Sequence, residues 1–357
     1  MMNAKNITNK KILSLFSLAA FTMMGTACNK SADGFSLLAD ETIFKQETVL
    51  VPKKIDVLWV VDNSGSMETS QNNLASNFQS FIYRFNQKNY DFHMGVVTTD
   101  AWEKRFYSSS TKARLRDGVG ATRSGVYVMD KNTPNLSDVF TTNIKQGING
   151  NGDERAFESF KEGLNETFNA PFRRPEAFLA VIIVSDEEDF SRRVLPFDES
   201  YSSPDLIPVS NYVSFLDQFT NRQVGEPANY SVSTISVLDS ACRTQLSTDG
   251  FQRKIGTRLM QLADLTGGVK GSLCSNFGET LDIISDSILQ LSSAFKLSRE
   301  PVVESIVVRV DGTVIPQDPV NGWTYDPATM YITFHGSSIP GANSDVRVAF
   351  DPVRAVE

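Results

Sequence analysis

The segment of this 357-residue chain best suited to chemistry is Asp62-Asn63-Ser64-Gly65-Ser66. It offers one carboxylate and two hydroxyls, all hard oxygen donors of the kind a small divalent cation takes. Magnesium wants about six such ligands and keeps several as water. Two hydroxyls one residue apart in a tight turn can face the same ion, and Gly65 is expected to let that turn close. Neutral hydroxyls leave the cation's charge under-compensated, so it can still attract an acidic partner. A helix starting just after the segment adds the positive end of its dipole. The same residues also suit a helix cap and a turn with no metal; the metal reading is preferred. Other chemistries have less to work with. The two histidines, His93 and His335, are far apart in sequence, and the three cysteines form no C-x-x-C pair, against zinc and thioredoxin-like sites. No G-x-S-x-G or G-x-x-x-x-G-K run is present, which leaves the common hydrolase and nucleotide motifs unfilled.

The elements that must hold this segment are legible around it. Ile55 to Val61 is a nearly continuous apolar run, as in a strand buried on both faces. Ser70 to Asn86 carries Leu74, Phe78, Phe81, Ile82 and Phe85 at helical spacing. Phe92–Val97 and Phe178–Val184 read as further buried strands, Val232–Leu238 as another, and Gly125–Met129 and Gly268–Leu273 as short ones. Helices are expected over Val139–Ile144, Asp153–Phe168, Tyr212–Phe219, Lys254–Leu265 and Leu281–Phe295. Strands alternating with helices give an α/β fold: a doubly wound, mostly parallel sheet flanked by helices, with ligands at the carboxyl ends of its strands. After Leu297 the pattern changes. Ser305–Val310, Met330–Phe334 and Val346–Phe350 read as strands, with Asp311-Gly312 as a turn. Residues 299–357 are therefore a small all-β module, marginal alone and expected to pack on the main domain.

Asp-x-Ser-x-Ser at the end of a first buried strand resembles the metal-ion-dependent adhesion site (MIDAS) of von Willebrand factor type A (VWA) domains. The resemblance covers about residues 52–298. It is carried by Asp56–Met67, by Gly95–Asp100 and by Val184-Ser185-Asp186-Glu187-Glu188-Asp189, which together look like a bacterial lipoprotein subfamily with this domain; the β-module is similar to an extension seen there. It implies that Ser64 and Ser66 coordinate Mg2+ (or Mn2+ or Ca2+) directly, while Asp62 and Asp186 act mainly through water or hydrogen bonds. The family's remaining ligand is a Thr, absent from Gly147–Phe157; Asn151 lies nearest its position, with Asp153 as rival. The usual sheet order places Cys242 and Cys274 after adjacent strands, where a disulfide would brace loops on the metal's face. Helix 281–295, the element that moves in related adhesion domains, here leads directly into the β-module.

The first thirty residues read as an address. Lys5, Lys10 and Lys11 precede an apolar stretch of signal-peptide length. Gly25-Thr26-Ala27-Cys28 resembles a lipobox, so residues 1–27 are read as a lipoprotein signal peptide, Cys28 as the lipidated residue and 28–51 as a tether. With Cys28 lipidated, Cys242 and Cys274 remain as an even pair, a disulfide candidate in an oxidising envelope. The loop it closes would stabilise by roughly 3–4 kcal/mol on a chain-entropy account. Asn29, rather than an inner-membrane retention Asp, points towards the outer membrane.

The chain has 41% hydrophobic and 21% charged residues, a globular profile, with 34 basic against 42 acidic residues and a net charge of −8. That balance argues against a nucleic-acid partner. Lys104, Arg105, Lys112, Arg114, Arg116, Arg173, Arg174, Arg192 and Arg193 fall in loops expected near the metal's face; scattered solubilising charge is the preferred reading over a track for an anionic ligand. Glu187, Glu188 and Asp189 are read as a solvated acidic loop. The function expected is that of an envelope lipoprotein, not an enzyme, that grips a protein ligand through the cation, with an exposed carboxylate of the partner completing the shell. The alternatives are a structural envelope subunit with a purely structural or disabled site and, behind it, a magnesium-dependent hydrolase.

Overall fold

A computed structural model of the chain describes residues 46–50 (backbone only), 53–223 and 225–353. The signal peptide, Cys28 and the tether as far as residue 45 lie outside them. In chain order the strands are β1 (Gln46–Leu50), β2 (Ile55–Val61), β3 (Phe92–Thr98), a small hairpin of β4 (Gly118–Val119) and β5 (Thr122–Arg123), β6 (Met129–Asp130), β7 (Phe178–Ser185), β8 (Tyr230–Ser236) and β9 (Lys270–Ser272). The C-terminal part adds β10 (Phe295–Lys296), β11 (Val307–Val310), β12 (Thr313–Ile315), β13 (Trp323–Asp326), β14 (Tyr331–Phe334) and β15 (Val346–Phe350). The helices are α1 (Glu68–Ser76), α2 (Phe78–Gln87), α3 (Glu103–Phe106), α4 (Leu136–Ile144), α5 (Ala156–Asn165), α6 (Val209–Phe219), α7 (Ser240–Leu246), α8 (Thr257–Thr266) and α9 (Phe277–Ser292).

Six strands form the central sheet in the order β6-β3-β2-β7-β8-β9. All neighbours are parallel except β6, which runs antiparallel to β3. This is the doubly wound architecture read from the sequence. All seven residues of β2 and all eight of β7 are buried, which is why both read as unbroken apolar runs. Alternate side chains serve opposite layers. Val57, Trp59 and Val61 pack with α1, α2, α4 and α9, and Leu58 and Val60 with α5, α6 and α8. Trp59 sits edge-on to Phe81 and Phe140, with ring centroids 5.1 and 5.4 Å away. Ser70–Asn86 forms two helices rather than one, parted at Asn77, whose side-chain amide donates to Asn73 O at 2.8 Å and competes with the local helix bonding. Of the strand expected over Gly125–Met129 only Met129 pairs, continuing to Asp130.

The C-terminal residues form two small antiparallel sheets, β1-β15-β11-β12 and β10-β14-β13. β1, in the segment read as tether, is an edge strand here, with Gln46 opposite Phe350 and Leu50 opposite Val346. The module shares its core with the main domain: Val308, Trp323, Ile332, Phe334 and Val346 belong to the same apolar cluster as α2 and α9. Polar ties reinforce the joint. Tyr90 donates to Pro340 O at 2.9 Å, Lys88 Nζ to Ile339 O at 2.6 Å, and Ala342 N to Lys88 O at 2.9 Å. Cys242 and Cys274 are disulfide-bonded, joining α7 after β8 to the turn after the neighbouring β9.

At the base of the sheet Asp56, fully buried on β2, accepts from Arg174 N and Nε at 2.8 Å and from Arg173 at 3.0 Å. Arg174 also reaches Asp91 at 2.5 Å. Arg173 and Arg174 therefore lie at the amino ends of the strands, not near the carboxyl-end loops where the sequence put them. Removing the carboxylate leaves the largely buried Arg173 without an acid and Arg174 with Asp91 alone. Asp56→Ala is expected to cost about 3 kcal/mol, read as a lower urea midpoint with an unchanged denaturant slope.

Candidate metal centre

Parallel pairing sets Val61 of β2 beside Val184 of β7, so the two strands end at one level and their following loops meet. Asp62 N donates to Val184 O at 2.9 Å and closes the ladder. The Asp62 carboxylate is fully buried between the loops. One oxygen accepts from Ser64 N at 2.8 Å and the other from the Ser185 hydroxyl at 2.6 Å. With both oxygens engaged, Asp62 organises the turn. Ser64 Oγ and Ser66 Oγ stand 3.4 Å apart, and Ser66 Oγ donates to Asp186 Oδ1 at 2.9 Å. Asp62, Ser64, Ser66 and Asp186 thus meet in one place. Gly65 has no left-handed backbone conformation; its lack of a side chain admits the Phe251 ring, which a Cβ would approach to 3.3 Å.

Asn151 lies beside this group in a different role. Its N–H donates to Asp100 Oδ1 at 2.9 Å, while its side-chain oxygen accepts from Asp153 N at 3.0 Å. The rival Asp153 is held by Arg155 at 2.5–3.0 Å. The Arg155 guanidinium is fully buried over the Trp102 ring, 4.1 Å from its centroid, and Trp102 Nε1 donates to Asp153 O. This packing fixes the 151–155 loop. Its preceding part presses on the first loop: Gly150 N donates to Asn63 O at 2.7 Å, and a Cβ at Gly150 would lie 2.5 Å from Asn63 Cγ. Gln71, from the first turn of α1, donates to both Asp62 O and Gly147 O, at 2.9 and 2.8 Å.

Two positioning residues escaped the sequence reading. Arg253 is buried and donates to Asp186 Oδ2 at 2.6 Å while Asp249 grips it with both oxygens. Glu154, 4% exposed, has neither carboxylate oxygen hydrogen-bonded. The loop after Asp186 is also unlike its expected solvated form. Glu188 and Asp189 are each 1% exposed. Glu188 accepts from Arg258 N and Tyr201 Oη, capping α8, and Asp189 accepts from Phe157 N, capping α5, and from Arg258. The basic residues near this face are largely paired with acids: Lys104 with Glu166, Arg105 with Glu158, and Lys112 with Asp100 and Glu103.

Among the described residues no three His, Cys, Asp or Glu side chains gather closely enough to hold a metal. A cation here would depend on the two serine hydroxyls as much as on acids. The electrostatics are those of a desolvated anionic cluster. Burial, then the Asp186 charge, push Asp62 up to about 7 against the pull of its Ser185 and Ser64 bonds. Burial, then Asp186 and Asp62, push Glu187 up to about 8. Burial raises Asp186 as well, although Arg253 opposes it.

No protein-family model and no curated protein matches the chain. Solved structures are similar in outline. Proximal thread matrix protein 1 from the mussel byssus matches at 11% identity and a TM-score of 0.38, over 71% of this chain and 52% of that one. Another structure of it, described with a zinc-occupied MIDAS motif, matches at 10% identity and a TM-score of 0.36. The pilus adhesin SpaC from Lactobacillus rhamnosus GG, in an open conformation, matches at 11% identity and 0.40, over 84% of this chain and 38% of that one. The chain thus spans about half or less of these proteins' length. Likeness at this level bears on neither the site nor its ligand.

The raised carboxyls set a pH dependence. In the unfolded chain Asp62 and Glu187 ionise near their ordinary values, about 4, whereas in the folded protein they hold their protons to about 7 and 8. The folded state therefore binds more protons across that window, and stability falls as pH rises through it. Chelator-treated protein is expected to melt at a lower temperature near pH 8 than near pH 5, and a divalent cation should narrow the difference.

Proposed function

We propose that this protein is a cell-envelope binding protein that grips a protein partner through a divalent cation at the carboxyl ends of β2 and β7. The observation that carries this reading is the convergence of the Ser64 and Ser66 hydroxyls with Asp186 above the buried Asp62. All the donors are hard oxygens, the set that Mg2+ or Mn2+ selects. The carboxyls of Asp62 and Glu187, both held well above the usual range by burial, mark a place where added positive charge is favourable. Ser64, Ser66 and Asp186 would hold the ion, with Asp62 fixing the turn beneath them. The ion would supply a concentrated positive charge to which a partner's exposed carboxylate binds.

The surroundings of the site suit a protein surface. Phe251 and Ile148 are 47% and 39% exposed beside it. A depression of about 660 Å³ opens next to Asn151, lined by Trp102, Tyr107, Leu195, Pro196 and Phe197. Apolar side chains around a charged anchor are the composition of a contact surface. Export and lipid attachment at Cys28 belong to the same proposal and are supported by the sequence of the first thirty residues. The Cys242–Cys274 disulfide fits an oxidising compartment.

Calorimetric titration of Mg2+ and Mn2+ tests the reading. Saturable binding is expected in the wild type and is expected to be lost in Asp62→Ala and Ser64→Ala, while Asp56→Ala, at the far end of β2, should bind normally at temperatures where it is folded. A wild type that binds neither ion sinks the cation-dependent reading and leaves a structural subunit in its place.

A further inference from the structure

Glu154 differs from the other buried acids around the site. Glu188 and Asp189, equally inaccessible, are satisfied by backbone N–H groups, a tyrosine hydroxyl and Arg258. Asp62 has Ser64 N and Ser185. Glu154 is 4% exposed, neither of its oxygens makes a well-formed hydrogen bond, and the one donor set against them is the Thr99 hydroxyl. Among the described residues no cation pairs with it. The charges that act on it most strongly are negative: Asp62 first, then Asp100 and Glu187. A buried carboxylate left this way is costly. The backbone that carries it is held on both sides. Asp153 before it and Arg155 after it form a buried ion pair stacked on Trp102. The Glu154 carbonyl accepts from Phe190 N at 3.1 Å, and Phe157, three residues on, is tied to Asp189. The chain therefore holds an unsatisfied acid towards Asp62 by contacts on both sides of it.

We propose that Glu154, rather than Asn151, is the ligand this protein contributes from its 147–155 loop, and that it makes the divalent cation a resident of the site before any partner arrives. This rests on the cation-binding reading above. Asn151 has its side-chain oxygen committed to Asp153 N, whereas both Glu154 oxygens are free to accept a cation. The charge count agrees. Asp186 is already neutralised on one side by Arg253, so serine hydroxyls with Asp62 and Asp186 alone leave the ion weakly held. The Glu154 carboxylate supplies further negative charge beside Asp62, and among the described residues no cationic side chain pairs with it.

The test uses the full chain in detergent, stripped with chelator and titrated with Mn2+ by calorimetry, alongside thermal melts. Glu154→Gln keeps the shape and removes the charge. Its Mn2+ affinity is expected to fall roughly tenfold or more, while Asn151→Ala stays within about twofold of wild type. Without cation Glu154→Gln should melt higher than wild type, because a buried uncompensated charge is gone; Mn2+ should raise the melting temperature of the wild type far more than that of the variant. Wild-type Mn2+ affinity and an unchanged Mn2+ shift in Glu154→Gln would overturn the assignment, with Ser64→Ala still losing binding to show that the cation site itself stands. Absence of binding in the wild type would remove both the site and this ligand.

Discussion

A carboxylate with no access to water sits at the end of the central strand, and the loops around it are arranged in answer to that. Asp62 is buried because β2 is central, flanked by β3 and β7 on its two edges and by helices on both faces. Such a sheet places its crevice where successive connections leave to opposite sides. Here the chain goes from β2 to β3 on one side and returns to β7 on the other. The equal ending of β2 and β7 then brings Ser185 and Asp186 onto the Asp62 turn. Everything else near the site either supports that turn, as Gln71 and Gly150 do, or adds further charge to it.

The two ends of β2 show two solutions to one problem. Asp56 and Asp62 are both fully buried on or beside the same strand. At the lower end Arg173 and Arg174 neutralise Asp56 from within the protein, and the result is a permanent structural clamp. At the upper end, among the described residues, no arginine pairs with Asp62. Its bonds come from one N–H and one hydroxyl, and its charged neighbours are acids. A fold that needed only stability would treat both ends alike. The asymmetry leaves the upper end with buried negative charge that the protein's own cations do not fully offset.

Much of this was legible because it is local. Buried strands announce themselves as apolar runs, and Asp62, Ser64 and Ser66 stand next to one another. The Cys242–Cys274 pairing was expected from the cysteine number, with Cys28 read as lipidated, and from the sheet order that the resemblance implies. What escaped was long-range. Arg253 meets Asp186 across 67 residues, and Trp102 reaches Asp153 across 51; no local pattern records such contacts. Glu187-Glu188-Asp189 looked solvated because a run of acids usually is, yet two of the three cap helices whose N-termini arrive from elsewhere in the fold. The Asn77 break was hidden because the apolar spacing continues across it. β1 was missed because an edge strand is defined by its partner, β15, some 300 residues away.

The supports around the centre are unequal in stiffness, and this bears on which side can respond to a ligand. On the Asp186 side, Arg253 joins the carboxylate to Asp249 and to Leu246 O. That segment follows α7, which the disulfide ties to the turn after β9. A shift of Asp186 must therefore move a charged, covalently braced unit. On the other side, the start of the 147–155 loop meets the Asp62 turn through Gly150 N and through Gln71, which are neutral hydrogen bonds worth about 1 kcal/mol each. The end of that loop is locked by Arg155 and Trp102. Residues 147–150 are thus the least firmly held part of the loop, and they lead into Asn151 and Gly152 at the edge of the apolar depression. On the proposed function, a partner entering that depression would press on Asn151 and Gly152, next to the Gly150–Asn63 contact that borders the Asp62 turn.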